Sequence, residues 1–137
     1  MLYHIVCPVK YRKKVITEEV AETLKSTCLE ISQSYEIHFV EIGTDEEHVH
    51  FLVQSVPMML ATRMVQTIKS ITAKKVFQKH PEIKQTLWGG NFWTSGYYIN
   101  TVGQYGNEQS ISNYVKEQGK KYNQIYRNQL TLFEGLT

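Results

Sequence analysis

His48-Val49-His50 is the sharpest chemical pattern in a chain of 137 residues. In a strand, side chains two apart point to the same face, so two imidazoles would stand side by side, ready to share one ion. Two histidines on a half-exposed strand would read the same way, and the pair alone leaves both explanations open. There is no CxxC, no HExxH and no third clustered histidine, which argues against a closed structural zinc site. His4 and His38 fall on expected strands, and either is a candidate neighbour. Tyr114 and Gln118 are four residues apart, one turn from each other on one helical face. A glutamine amide oxygen is a hard, neutral ligand. With His48 and His50, Gln118 would make an open site suited to Mg²⁺ or Mn²⁺ bound to a phosphate substrate. Beside such an ion Tyr114 is a candidate nucleophile. A phenol with an ordinary pKa of about 10 attacks poorly at neutral pH, but a polarised phosphodiester held in line changes that. Attack at phosphorus would leave a phosphotyrosine link and a free 3′-hydroxyl. The competing explanation is packing, since the chain has nine tyrosines.

These residues need elements to position them. Residues 2–11 read as a first strand that Pro8 should end or bulge. Thr17 suits a helix N-cap, with Glu18 and Glu19 favourable in the first turn, and Val20, Leu24, Cys28 and Ile31 give an amphipathic helix to about Ser34. Two alternating runs, 36–42 and 48–53, flank Gly43-Thr44-Asp45 and read as a hairpin. Pro57 suits the start of a second helix, with Leu60, Met64, Ile68, Ile71 and Val76 on one side and His80-Pro81 as its stop. Residues 92–102, rich in aromatic and β-branched types, read as a strand interrupted by Gly96. Asn107 is a candidate cap for a last helix over 108–128, with Ile111, Val115, Tyr122 and Ile125 as its apolar stripe. The order β-α-β-β-α-β is that of an α+β, ferredoxin-like (RRM-like) antiparallel sheet with helices on one face, here with an added C-terminal helix that carries Tyr114. The expected organisation is one domain over 1–137: a core at 1–103, a connector at 103–107 and the tyrosine helix. Gly103 and Gly106 would let that connector bend, though an ordinary loop would carry the same residues.

Composition narrows the class. Hydrophobic residues make up 42% of the chain, enough for one core and too many for a disordered segment. No apolar run approaches the roughly 20 residues of a membrane helix, and the N-terminus shows no signal-peptide pattern. Cys7 and Cys28 lie far apart, which suits a reduced, cytoplasmic protein. Net charge is only +2, but basic residues cluster. Lys10, Arg12, Lys13 and Lys14 form one group, Lys69, Lys74, Lys75 and Lys79 another, and Lys120 with Lys121 a third. Such groups neutralise phosphates, or simply form solvated faces.

Taken together, the motifs resemble the single-tyrosine HUH transposases, the TnpA enzymes of the smallest bacterial and archaeal insertion sequences. Tyr3-His4-Ile5-Val6 with Lys10-Tyr11-Arg12-Lys13-Lys14-Val15 looks like the family's opening strand and basic turn. His48-Val49-His50 followed by Phe51-Leu52-Val53 looks like its HUH strand. Leu87-Trp88-Gly89-Gly90, Phe92-Trp93 and Gly96-Tyr97-Tyr98 resemble the approach to the last strand, and Tyr114-Val115-Lys116-Glu117-Gln118 the tyrosine helix. Ser70, where relatives commonly have glycine, and Cys7-Pro8-Val9 depart from the pattern without touching a ligand or the nucleophile. The resemblance implies a metal-dependent single-stranded DNA transposase with Tyr114 as nucleophile and Gln118 as third ligand after His48 and His50. It also implies homodimers that bind hairpins at transposon ends, with the tyrosine helix supplied in cis or to the partner's site. Lys10, Arg12, Lys13, Lys14, Lys69 and Lys74 are the expected DNA contacts. The rival reading is a non-catalytic, single-stranded nucleic-acid-binding module of the same fold, stacking bases on Phe92, Trp93, Tyr97 and Tyr98. A metal-binding or oligomerisation domain is a third.

Overall fold

Helix starts and strand pairings in the computed structural model, which describes residues 2–55, 60–101 and 122–127, follow from local chemistry at most of the expected places. Strand β1 (Leu2–Pro8) ends at its proline, and the chain then tightens into a single 3₁₀ turn at Lys10–Arg12. Helix α1 (Glu18–Ser34) begins where the Thr17 hydroxyl accepts the Val20 N–H at 3.3 Å, and it buries Val20, Leu24, Cys28 and Ile31. Strands β2 (Ile37–Thr44) and β3 (His48–Ser55) form the hairpin. Its turn is held by the Asp45 carboxylate, which accepts the N–H groups of Glu47 at 2.9 Å and His48 at 2.7 Å. Helix α2 (Ala61–Lys79) gives way at His80 to a short α3 (Pro81–Thr86), with the proline at a first-turn position. Strand β4 (Tyr98–Thr101) and strand β5 (Asn123–Arg127) complete the set.

All pairings are antiparallel, and the order is β4-β1-β3-β2-β5. The first four strands have the order a ferredoxin-like sheet requires, with β3 and its histidines central. Ile5, Cys7, Phe39, Ile42, Val49, Phe51 and Val53 face α1 and α2 in one hydrophobic core. The alternate residues Leu2, His4, His48, His50, Leu52 and Gln54 lie on the other face by strand alternation.

Three expectations change. The hairpin turn expected at Gly43-Thr44-Asp45 falls at residues 45–47, because Gly43 and Thr44 pair with His50 and Val49 as part of β2. The strand expected over 92–102 is confined to Tyr98–Thr101. Phe92 and Trp93 are instead buried in the core beside a lone bridge between Val9 and Trp93, where ring packing outweighs ladder hydrogen bonds. The last helix does not extend to 128, because Asn123–Arg127 is strand β5, paired with β2. Without it β2 would present a row of unpaired backbone groups at the sheet edge, and Ile125 and Tyr126 suit a strand. The rest of that helix, the 103–107 connector with its glycines, and Pro57 lie outside the described residues. Among the described residues no helix is long and apolar enough to cross a membrane.

Candidate functional site

Alternation along β3 puts His48 and His50 on the same face, but their surroundings differ. His48 is partly exposed at the end of the strand. The Arg12 guanidinium donates to His48 Nε2 at 2.9 Å, and the Asp45 carboxylate lies 3.1 Å from His48 Nδ1. A guanidinium has only donors, so Nε2 must present its lone pair and Nδ1 carries the hydrogen donated to Asp45. The lone pair a cation would need therefore points outward, capped by a cationic side chain. Asp45 holds the ring in the manner of a carboxylate behind a metal-binding histidine.

His50 is completely buried. Its Nδ1 is 3.1 Å from His4 Nε2, with the two rings edge to face, and Tyr122 stacks on its other side at 4.3 Å between centroids. Space for the ring comes from Gly43, where any Cβ would collide with the His50 imidazole. His50 Nε2 lies 3.3 Å from Glu41 Oε1, yet this nitrogen and both Glu41 oxygens are buried without a hydrogen-bond partner. Buried carboxylate oxygens left without a partner beside an imidazole nitrogen fit a divalent cation, whose charge would compensate them. Among the described residues, no group of three His, Cys, Asp or Glu side chains is placed to hold one ion. Tyr114 and Gln118 lie outside the described residues.

Burial and the nearby Asp45 carboxylate both raise the Tyr122 phenol above its ordinary pKa of 10.0. Tyr122 therefore stays protonated and serves as a wall for His50, not as a ready nucleophile. Cys7 is likewise pushed up to about 12 by burial, which removes it from thiolate chemistry.

The expected DNA-contact residues divide into two groups. Arg12 also pairs with Glu47 at 3.7 Å, Lys14 with Glu46 at 3.7 Å, and the Lys69 ammonium donates to the Thr94 carbonyl at 2.8 Å. Lys69 and Lys74 line a cleft of about 420 Å³ with Phe77 and Phe92. Lys10 and Lys13 sit over the rings of Tyr11 and Trp88, at 5.5 and 5.3 Å. Those two rings touch at 5.1 Å between centroids and are 56% and 72% exposed. Tyr11, Arg12 and Trp88 all have positive φ, at 59°, 51° and 56°. Left-handed backbone at three non-glycine residues costs free energy.

Sequence reasoning named His4 as a possible neighbour but missed Glu41, Gly43, Asp45 and Tyr122. A carboxylate seven residues before His48 gives no local signal. Its proximity to His50 depends on strand register.

Residues 1–118 match the model of the family described as IS200-like transposases. The ISDra2 transposase TnpA of Deinococcus radiodurans is 33% identical over 119 residues, covering 87% of this chain and 84% of the relative. The transposase of the IS200 element of Salmonella typhimurium is 26% identical over 116 residues, 85% and 75% of the two chains. A crystal structure of a Deinococcus radiodurans transposase superposes with a TM-score of 0.70 at 30% identity, covering 86% of this chain and 90% of that one. A REP-associated tyrosine transposase bound to a REP hairpin shares the fold at a TM-score of 0.54 and 11% identity, covering 83% and 61%.

Proposed function

This chain belongs to the IS200-like transposase family, and from that premise we propose that it cuts single-stranded DNA through Tyr114 and rejoins it at a new end. The observation that carries the reading is the pair His48 and His50 on the sheet face opposite α1 and α2, with His50 Nε2 buried and without a hydrogen-bond partner. His48, His50 and Gln118 would hold a divalent ion, Mg²⁺ or Mn²⁺, whose chemistry when bound is to polarise the scissile phosphodiester. The Tyr114 oxygen attacks phosphorus as its phenolic proton leaves. That proton passes to solvent, the bond from phosphorus to the 3′-oxygen breaks and the departing oxygen takes up a proton from solvent, leaving a 5′-phosphotyrosine and a 3′-hydroxyl. Attack by a 3′-hydroxyl on that link reverses the step at a different end, so strand transfer needs no external energy source. Asp45 keeps His48 in the tautomer with an outward lone pair, while His4 and Tyr122 fix the His50 ring.

Single-stranded substrate suits the exposed Tyr11 and Trp88 rings, which can stack on unpaired bases while Lys10 and Lys13 meet phosphates. Arg12, Lys14, Lys69 and Lys74 extend the basic surface. We take the substrate to be hairpin-forming element ends bound by a homodimer in the cytoplasm, with Tyr114 on a helix that serves either protomer's histidine pair.

Labelled single-stranded DNA on a denaturing gel tests the reading. The wild-type chain should leave a covalent adduct, and Tyr114→Phe should leave none while still retarding the DNA on a native gel. An undiminished adduct from Tyr114→Phe overturns the assignment of the nucleophile. Chelation should stop cleavage, and added Mg²⁺ or Mn²⁺ should restore it in the wild type but not in His48→Ala or His50→Ala.

A further inference from the structure

The register of β2 contains one irregularity, and it lies beside His50. Phe39 pairs with Val53, but the next pair is Glu41 with Leu52, so Val40 is an extra residue in a β-bulge. In an unbroken ladder Val40 would oppose Leu52, and Glu41 would point into the apolar core under the helices. A slip of one residue exchanges the faces. The bulge thus delivers the Glu41 carboxylate to the histidine face, and Gly43, two residues on, clears the space in which His50 meets it.

We infer that Glu41 is a ligand of the same divalent cation as His50. This inference rests on the metal-dependent reading above and adds a ligand to it. The Glu41 side chain is 0% exposed as a residue, and both its oxygens lack a hydrogen-bond partner. A carboxylate left so in the interior is destabilising unless a positive charge answers it. In the tautomer in which His50 Nδ1–H donates to His4 Nε2, His50 Nε2 carries a lone pair 3.3 Å from Glu41 Oε1. Two donors each about 2.1 Å from one ion lie about 3.0 Å apart at a right angle and about 3.4 Å at a tetrahedral one. The observed nitrogen–oxygen separation of 3.3 Å falls between those values. The carboxylate adds to the imidazole a hard oxygen donor of the kind that suits Mn²⁺ or Mg²⁺.

Titration calorimetry with Mn²⁺ alone, without DNA, gives the test on the full chain, together with melting curves in the presence and absence of the metal. Glu41→Gln should weaken Mn²⁺ binding at least tenfold and shrink the Mn²⁺-induced rise in Tm. Its metal-free Tm should equal or exceed that of the wild type, because a buried charge has been removed. Tyr114→Phe should bind Mn²⁺ as the wild type does. Wild-type affinity in Glu41→Gln with a lowered metal-free Tm overturns the inference and makes Glu41 the ion-pair partner of a protonated His50. If the wild-type chain binds no Mn²⁺, with DNA or without, the metal-dependent reading fails and Glu41 as ligand fails with it. Should Glu41→Gln not fold, Glu41→Asp, which draws the carboxylate back by one methylene, takes its place. Weaker Mn²⁺ binding then supports the inference, and unchanged binding overturns it.

Discussion

Under the helices, Val49, Phe51 and Val53 of β3 pack into the core with Phe39 and Phe92, and the polar atoms buried there are satisfied: the Trp93 indole N–H donates to the Thr72 hydroxyl at 3.0 Å, which itself donates to the Ile68 carbonyl at 2.6 Å. On the other face of the same strand, His50 and Glu41 are equally buried and three of their polar atoms have no hydrogen-bond partner. Apolar burial on the first face supplies stability of order 1.5–3 kcal/mol per large side chain, and the second face can carry uncompensated polar groups because of it. The difference teaches that the core and the candidate site take alternate residues of a single strand, so a substitution at one position should leave its neighbour's surroundings intact.

Mutations can break that division or sharpen it. The largest stability effect belongs to the helix side: Phe51→Ala should cost about 3–5 kcal/mol in urea unfolding, as expected for a fully buried ring. His50→Ala, buried to the same degree, should cost much less while abolishing DNA cleavage. An equal loss of stability from the two would show that the faces are not separable. Gly43→Ala should cost about 1–3 kcal/mol, because the new methyl displaces the His50 ring, and it should lower cleavage in parallel. Trp88→Ala, on an exposed ring, should move stability by less than about 1 kcal/mol yet weaken single-stranded DNA binding several-fold, as base stacking predicts. Unchanged DNA binding would remove the Tyr11–Trp88 corner from the substrate path. The smallest effect is on the pH dependence of stability. Folded Cys7 holds its proton to about 12 against an ordinary 9.0, so the unfolded chain releases that proton first. Its contribution to stability is complete below about pH 9 and is lost as pH rises toward 12, and Cys7→Ala should flatten that part of the curve.

Much of the frame was legible in local chemistry. Thr17 before Glu18-Glu19 and the His80-Pro81 stop act over a few residues, and the helices they delimit stand where the pattern puts them, while the hairpin turn is shifted to residues 45–47 because Gly43 and Thr44 join the β2–β3 ladder. The short β4 and the strand at Asn123–Arg127 were not legible. Whether an aromatic-rich stretch pairs as strand or packs as a loop, and whether Ile125 and Tyr126 serve a helix or an edge, depends on partners distant in the chain.

For the site the line falls in a similar place. Period-two alternation in His48-Val49-His50 is a property of any strand, so the sequence by itself determined that the two imidazoles share a face. It could not determine which other groups meet them. Strict alternation through Phe39-Val40-Glu41 puts the carboxylate in the apolar core. Only the pairing of β2 with β3, by taking up Val40 as a bulge, turns Glu41 toward His50. The physical reason is that facing is local to one strand, whereas register is a property of two.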